Sequence, residues 1–198
     1  MKVLLISPVP PPTGGITRWS ETVLNEISHR KDVELSHINI SPRYRGDLTI
    51  FKRVFFGVFG LFGVMRRLSK ELKTAPDVIH LTTSGGLALF RDNAIAKKAV
   101  KRGVPLVIHL HYGRVPETFS QNCRERKRLK RVLNAAAKVI AIDDETFSAL
   151  SDNGFAEKSV FCPNPIKVDE ISKKQIPYAS RDNKVVFLGH VLKTKGIE

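Results

Sequence analysis

Short apolar runs alternate with longer helical segments along most of this chain. The runs at 3–6 and 104–110 are almost continuously apolar, which is typical of strands that are buried on both faces of a parallel sheet. Strand, helix and strand repeated at this spacing predict an α/β fold with a doubly wound, Rossmann-like parallel sheet. The six predicted strands are residues 3–6, 33–40, 77–81, 104–110, 138–142 and 159–162.

A glycine pair separates the first predicted strand from the first predicted helix. Ligands of doubly wound sheets bind beyond the carboxyl ends of the strands, where Gly14 and Gly15 lie. Glycine lets the backbone approach a ligand closely, and a helix N-terminus attracts anions. The GxGxxG fingerprint of a dinucleotide site is absent. The pair therefore predicts either a phosphate site or only a tight turn, and these residues alone do not separate the two.

A histidine follows the fourth predicted strand, in VIHLHYG. At this position His111 could donate a hydrogen bond to a substrate oxygen or relay a proton near neutral pH, and we predict such a role for it. The alternative is a hydrogen-bonded structural histidine. His80 and His109 lie one step inside their strands, so the structural interpretation is favoured for both.

The charge balance indicates an anionic partner. Lys and Arg total 33 against 19 Asp and Glu, a formal net charge of +14, while the hydrophobic fraction of 42% suits a globular core. Nucleic acid, an anionic membrane and phosphorylated small molecules all remain open on composition alone. Cys123 and Cys162 lack metal-binding spacing, so free thiols and no metal site are expected. No signal peptide is recognised, and we expect a cytoplasmic location.

Two basic segments are candidates for a membrane surface. Residues 52–67 enclose a 12-residue apolar stretch, which is too short to span a bilayer and predicts either a buried helix with glycines for close packing or an interfacial segment. The helix predicted at 120–134 carries RERKRLKR, with six basic residues in eight and none of the aromatic residues that would stack on bases. The membrane-facing candidates are Lys52, Arg53, Arg66, Arg67, Arg124, Arg126, Lys127, Arg128, Lys130 and Arg131.

The composition changes after the sixth predicted strand. We predict one Rossmann-like domain over 1–165, a proline-rich linker over 166–183 and the start of a truncated second domain over 184–198. The last segment reads as a strand followed by Gly189-His190 and Lys195-Gly196, a pattern that can hold a phosphate by charge and by backbone N–H groups. The chain is therefore expected to be the first half of a longer protein.

The ordered set of motifs resembles a known enzyme family. SPVPPPTGGI, PDVIHL, PLVIHLH, KVIAI, CPNPI and VVFLGH with KTKG resemble the retaining, nucleotide-sugar-dependent glycosyltransferases of the GT-B fold, often labelled "glycosyl transferases group 1". The resemblance covers essentially the whole chain, and the order of the motifs rather than any single one carries it.

The resemblance implies an acceptor-side first domain and a nucleotide-sugar-binding second domain. It implies transfer of a sugar to an acceptor hydroxyl with retention, without a metal or other cofactor, in bacterial surface polysaccharide or glycolipid synthesis. By motif position, Gly14 and Gly15 would contact the donor diphosphate or the acceptor, His111 would be the active-site histidine, and His190 and Lys195 would contact the donor phosphates. Members of this family that use lipid-linked acceptors dock on the inner leaflet, and this favours the membrane-surface interpretation of the two basic segments.

The chain departs from the family pattern at two places. His190 stands where Arg is usual, and Pro165 follows Asn164 where Gly is usual. Because the second domain is missing, we expect this chain alone to be inactive. The competing hypothesis is a non-catalytic basic Rossmann-like module that binds anionic lipid or RNA.

Overall fold

The computed structural model describes residues 1–41, 50–121 and 123–166 and the single positions 177, 180, 182 and 184, with only the backbone given for 50–58. The chain divides into two compact units, Met1–Asn164 and Pro165–Glu198. The predicted linker and second-domain strand fall in the second unit, and most of that unit lies outside the described residues. His190 and Lys195 lie there, so both remain predictions.

The first unit is built on one parallel sheet, and the predicted Rossmann-like α/β class is confirmed. Its six strands lie in the order β2-β1-β3-β4-β5-β6, and every neighbouring pair is parallel. All six predicted runs form strands, with ends shifted by one or two residues. The strands are β1 (Lys2–Ser7), β2 (Glu34–Asn39), β3 (Val78–Thr83), β4 (Leu106–Leu110), β5 (Lys138–Ala141) and β6 (Ser159–Phe161).

Helices connect the strands as predicted, with one addition. A short helix precedes the basic helix, which therefore begins at Arg124 rather than at 120. Asp143 caps the last helix, since its Oδ1 accepts a hydrogen bond from the Thr146 N–H at 2.7 Å. The helices are α1 (Gly15–Ser28), α2 (Ile50–Glu71), α3 (Ala88–Lys101), α4 (Val115–Ser120), α5 (Arg124–Ala135) and α6 (Asp144–Leu150), with short turns at Leu72–Thr74, Ser151–Phe155 and Ala156–Lys158.

The two faces of the sheet differ in polarity. Register pairs Ile79 with Leu106, and these residues and their neighbours on the same face pack under α2, α3, α5 and α6 in one continuous apolar core. The opposite face carries His80 and His109, and α1 covers it there. Helical spacing places Trp19, Val23, Leu24 and Ile27 on the inner face of α1. Of these, Trp19 is buried, whereas the other three are only half-buried.

Helix α2 is partly buried along its described side chains. Val64 and Leu68 lie in the core, whereas Phe62 has 71% of its surface exposed. A Cβ added at Gly60 or Gly63 would meet no described atom within 4 Å. Because the side chains of 50–58 are outside the described residues, the buried and the interfacial interpretations of 52–67 both stay predictions. The side chains of Lys52 and Arg53 lie outside the described residues. No helix within the described ranges is long and apolar enough to cross a membrane.

Candidate active site at the carboxyl edge of the sheet

The loop between β1 and α1 ends in a helix N-terminus without a side-chain cap. Gly14 occupies the cap position in an extended conformation, and the first backbone bond of the helix runs from Arg18 N to Gly14 O, at 2.9 Å. No described residue accepts a hydrogen bond from the N–H groups of Gly15 or Ile16. These donors and the positive end of the helix dipole together suit an anion.

Thr17 fixes the shape of this loop. Its hydroxyl accepts a hydrogen bond from Gly14 N–H at 2.8 Å and donates toward the carbonyl oxygens of Pro12 and Gly14, at 2.9 and 3.0 Å. Further back, Val9 N–H donates to Ser41 Oγ at 2.9 Å, and Ser41 Oγ donates to Val9 O at 2.6 Å. The prolines and glycines between these ties are therefore held to both β2 and α1.

Three histidine rings form a cluster against the α1 side chain Trp19. His80 Nε2 and His109 Nδ1 are 3.2 Å apart, within hydrogen-bond distance. The ring centroids of His109 and His111 are 4.0 Å apart, and the Trp19 ring lies 5.3 Å from His80, 4.7 Å from His109 and 5.1 Å from His111. We call these four residues the histidine–tryptophan cluster.

Burial keeps the three imidazoles neutral at pH 7. It lowers the pKa of His111 and that of His80 to about 4 each, and the pKa of His109 falls to about 2 because its two neighbouring histidines add repulsion to burial. A neutral imidazole can donate or accept a hydrogen bond, but it is not an imidazolium acid at neutral pH. Of the two roles predicted for His111, hydrogen bonding to a substrate oxygen is the one that this environment supports.

His80 and His109 have the structural placement that the sequence predicted. They bond to each other within the sheet, whereas His111 extends the ladder by one residue, with its N–H donating to Thr83 O at 3.0 Å. Because Trp19 lies one helical turn after Gly15, about 6 Å along the axis, the uncapped α1 terminus and His111 share one part of the edge.

A second glycine pair lies at the same edge, after β3. Gly85 and Gly86 both adopt left-handed conformations, with φ of 69° and 57°. A Cβ on Gly85 would lie 2.5 Å from the Tyr112 ring. The N–H of Gly86 donates to Glu125 Oε1 at 2.8 Å, so this amide is already satisfied within the protein.

Comparison with known proteins identifies the family of this chain. The family model described as Glycosyltransferase Family 4 matches residues 22–170. This chain belongs to Glycosyltransferase Family 4. No curated protein sequence matches the chain.

Two solved structures are similar to this family 4 chain to different degrees. The Anabaena protein HepE, crystallised in complex with UDP, has 18% sequence identity and a TM-score of 0.50 over 85% of this chain and 45% of its own. A Glycyrrhiza uralensis protein, UGT73P12, complexed with glycyrrhetinic acid 3-O-monoglucuronide, has 7% identity and a TM-score of 0.46 over 82% of this chain and 48% of its own. At such identities the HepE match shows the fold alone, that of the N-terminal half of a GT-B enzyme. The chain spans less than half the length of either protein.

Some of the predicted site residues of the family 4 chain lie together in the structure, and others fall outside the described residues. Gly14, Gly15 and His111 meet at one edge, while His190 and Lys195 lie outside the described residues. Sequence reasoning placed Trp19 on the inner face of α1 but missed its contact with the histidines, and it missed the Thr17 tie. Within the described ranges, no group of three or more His, Cys, Asp and Glu residues is arranged to hold a metal ion, and both cysteines are free.

The basic helix α5 presents only part of its charge to solvent. Arg124, Lys127 and Arg131 are exposed, whereas the Arg128 guanidinium lies 3.9 Å from the Phe90 ring centroid and Lys130 Nζ lies 5.9 Å from that of Phe119. Three of the cations therefore lie on one outer face of α5, and two others contact aromatic rings. Arg66 and Arg67 on α2 are also exposed, and Arg67 Nη1 lies 3.5 Å from Asn39 O.

Exposed apolar residues lie beside this basic face. Leu87 and Phe90, at the start of α3, have 84% and 51% of their surfaces exposed, and neither was among the predicted membrane-facing residues. The sequence signal for this pair was the short stretch GGLALF, which has no polar residue between Leu87 and Phe90. Exposed apolar side chains next to cations are typical of surfaces that meet a partner or a membrane.

Proposed function

We propose that this chain is the acceptor-side domain of a retaining glycosyltransferase that moves a sugar from a nucleotide-sugar donor to an acceptor hydroxyl. The observation that carries the proposal is the meeting of the uncapped α1 N-terminus and His111 at the carboxyl edge of the sheet. Membership of Glycosyltransferase Family 4 supports the reaction class, and the HepE complex with UDP-glucose supports a nucleotide-sugar donor. Retention rests on the motif resemblance.

The proposed roles follow from the chemistry of each group. The N–H groups of Gly15 and Ile16 bind a phosphate oxygen of the donor or a phosphorylated acceptor, because they point from a positive helix end. His111, neutral at pH 7, hydrogen-bonds a sugar or acceptor hydroxyl. For Lys195 and His190 the motif resemblance supports contacts with the donor phosphates, with Lys195 stabilising the charge that develops on the departing nucleotide. No metal or organic cofactor takes part in the proposed reaction.

Activity of the protein at its full natural length tests these roles. UDP-glucose is the first donor to assay, and release of UDP is the readout. We expect His111→Ala and Lys195→Ala each to lower kcat/KM by about 100-fold, the size of loss seen when one preorganised electrostatic contact is removed. His29→Ala, which removes an exposed histidine, is the matched control and should retain wild-type turnover. Wild-type turnover in both variants would contradict the roles proposed for His111 and Lys195.

The anomeric configuration of the product tests retention separately. A donor with an α linkage should give an α-linked product, read from the anomeric proton coupling in NMR spectra. A β-linked product would exclude retention and leave the donor class intact. Unchanged turnover after treatment with EDTA is the expected result for a reaction without a metal.

We further propose that the exposed apolar and basic residues at the start of α3 and α5 rest on an anionic membrane, where a lipid-linked glycan acceptor would lie. Lys98 Nζ donates to Ser69 Oγ, which sets the relative height of two parallel helices. Phe62 on α2 and Phe90 on α3 are both exposed, each about two turns before one of these bonded residues. Phe90 in turn contacts Arg128. Exposed apolar rings and cations therefore occur on neighbouring helices.

Vesicle co-sedimentation tests the membrane contact. Binding to phosphatidylglycerol-containing vesicles should exceed binding to neutral phosphatidylcholine vesicles, because each basic residue near an anionic leaflet contributes about 1 kcal/mol. Leu87→Ser/Phe90→Ser and Arg124→Glu/Lys127→Glu should each lower the bound fraction at least about threefold. Val100→Ser, at the other end of α3, removes an exposed apolar residue away from the surface and is the control. Equal binding to both vesicle types would overturn the proposal.

RNA is the alternative anionic partner. The Arg128 guanidinium already covers one face of Phe90, the exposed ring beside the basic helix, which leaves less surface for base stacking. Tight, salt-sensitive binding of RNA by the 198-residue chain, without binding to anionic vesicles, would favour the non-catalytic module. The membrane proposal places the protein on the cytoplasmic leaflet, where nucleotide sugars are present.

A further inference from the structure

The ring of His111 is held by neighbouring rings rather than by hydrogen bonds. Its backbone N–H bonds to Thr83 O, but no described residue hydrogen-bonds its side chain, and its Nε2 is buried without a partner. The described contacts of the imidazole are the rings of His109, at 4.0 Å, and Trp19, at 5.1 Å, between centroids. The direction in which His111 presents its nitrogens therefore depends on packing.

Of these two neighbours, only Trp19 comes from a different part of the chain. His109 lies in β4, two residues before His111, which directly follows that strand, and His109 is further tied to His80. Trp19 belongs to α1, is 91% buried and contacts all three histidine rings, meeting His109 edge-on at an interplanar angle of 89°. It meets His111 at a tilted interplanar angle of 60°. Aromatic contacts contribute about 0.5–1.5 kcal/mol each beyond burial, so the indole favours one orientation of the His111 ring.

We propose that Trp19 is a positioning residue that sets the orientation of the His111 imidazole and links it to the Gly14–Gly15 terminus of α1. Four residues, close to one helical turn, separate Gly15 from Trp19, so both lie on one side of α1. A shift of the helix terminus toward a bound anion would move the indole, and the indole would move the ring that packs on it. This inference rests on the proposed role of His111 at the site.

Two substitutions separate positioning from simple stability. Trp19→Phe keeps an aromatic ring, and Trp19→Leu keeps an apolar side chain without one. Leu24→Ala, at a half-buried position on the same helix, is the control for destabilisation of α1. Thermal unfolding of all three variants establishes that each is folded under the assay conditions.

The first readout is the titration of His111 itself, followed by NMR through its Cε1–H signal. The wild-type midpoint should lie near the pKa of about 4 that burial produces. Loss of the indole admits water, so the midpoint should rise by at least about one pH unit in Trp19→Leu, toward the ordinary value of about 6.5. The groups that face His111 in this titration are His109 and His80, and Leu24→Ala should leave the midpoint unchanged.

The second readout is kinetic and uses the full-length protein. Trp19→Leu should lower kcat about tenfold with KM changed less than about twofold, because misplacement of a contacting group affects the transition state most. Trp19→Phe should recover most of that loss. In the double variant Trp19→Leu/His111→Ala, turnover should be no lower than in His111→Ala alone, since a positioning residue has nothing left to position.

Each outcome decides one question. If His111→Ala retains wild-type turnover, the proposed function of His111 fails before Trp19 is considered. If His111→Ala is slow but Trp19→Leu leaves both kcat and the His111 midpoint at wild-type values, only the positioning inference is overturned. An equal loss of kcat in Leu24→Ala would assign the effect to stability and overturn it as well.

Discussion

Two glycine pairs follow strands at the same edge of the sheet, and they differ in whether the neighbouring backbone N–H groups have hydrogen-bond acceptors. Gly14–Gly15 after β1 leaves backbone donors of α1 without an acceptor among the described residues, with Gly14 in extended backbone that any residue adopts. Gly85–Gly86 after β3 is left-handed at both positions, and the Gly86 amide is taken by Glu125. The first pair therefore precedes N–H groups that have no described acceptor, whereas the N–H groups of the second pair donate to Thr83 Oγ1 and Glu125 Oε1.

The difference shows what decides whether a glycine loop binds an anion. Thr17 accepts the hydrogen bond of the Gly14 N–H and Glu125 that of the Gly86 N–H, whereas the N–H groups of Gly15 and Ile16 have no acceptor among the described residues. Glu125 lies 39 residues from Gly86 along the chain, and its carboxylate would also repel an anion there. A glycine pair is therefore a candidate site only after its amides have been accounted for.

The largest expected effect is on folding stability at the second pair. Gly85→Ala should lower the free energy of unfolding by about 3 kcal/mol, because it combines a left-handed residue, at about 1–2 kcal/mol, with overpacking against the Tyr112 ring. Chemical denaturation with urea measures the loss. Anion binding at the first pair should be unaffected, which separates the two loops.

The same substitution in a Tyr112→Ala variant measures how much of the cost comes from the contact between the new Cβ and the Tyr112 ring. In Tyr112→Ala, where the ring is absent, Gly85→Ala should cost only the backbone part, about 1–2 kcal/mol. The same cost in both backgrounds would mean that Tyr112 does not restrict this position, and the close approach would then be no reason for the glycine.

Much of the fold was predictable from local pattern, and the helix α4 shows where pattern ends. Short apolar runs identified all six strands. Helix α4 has only six residues, too few to show a helical period, so it was missed. Which face of α2 meets a neighbour was also not predictable, because its glycines and apolar residues are spread along the whole helix.

The site was predictable only as far as strand ends determine it. The rule that ligands bind beyond carboxyl ends located Gly14, Gly15 and His111 correctly at one edge. The contact of Trp19 with three histidines depends on how α1 crosses the sheet, and the Gly86–Glu125 bond depends on a helix 39 residues later. Both are tertiary facts, and no local spacing encodes them.

The second expected effect is on anion affinity at the first pair. Gly14→Asp should stabilise the fold by about 0.3 kcal/mol by capping α1, as Asp143 caps α6, and should weaken binding of inorganic pyrophosphate at least about tenfold. The new carboxylate takes the amide that an anion would use and repels the anion. Calorimetric titration at fixed low salt measures the affinity.

Gly14→Asn provides the neutral control for this change. It caps the helix without adding charge, so it should give a similar gain in stability and a smaller loss of pyrophosphate affinity. If Gly14→Asp bound pyrophosphate as tightly as the wild type does, the α1 terminus would not be the anion site, and the contrast between the two pairs would reduce to backbone conformation.

A smaller effect is expected at Gly86, where space is open but the backbone is left-handed. Gly86→Ala should cost about 1 kcal/mol, because a Cβ meets no described atom within 4 Å and only the φ of 57° opposes it. Gly86→Asn should cost less, since Asn tolerates this conformation better. Urea denaturation compares the two, and equal costs would mean that strain at this residue is not the determining factor.

The smallest expected effect has the opposite sign. Gly15 is the first residue of α1, its φ is not positive, and a Cβ there meets no described atom within 4 Å. Gly15→Ala should therefore raise the free energy of unfolding by about 0.5 kcal/mol, since alanine loses less backbone entropy than glycine in a helix. A gain here beside a loss at Gly85 would show that stability does not require glycine at the first pair. Destabilisation by Gly15→Ala would instead mean that the loop packs more tightly than its open surroundings indicate, and the first pair would then resemble the second.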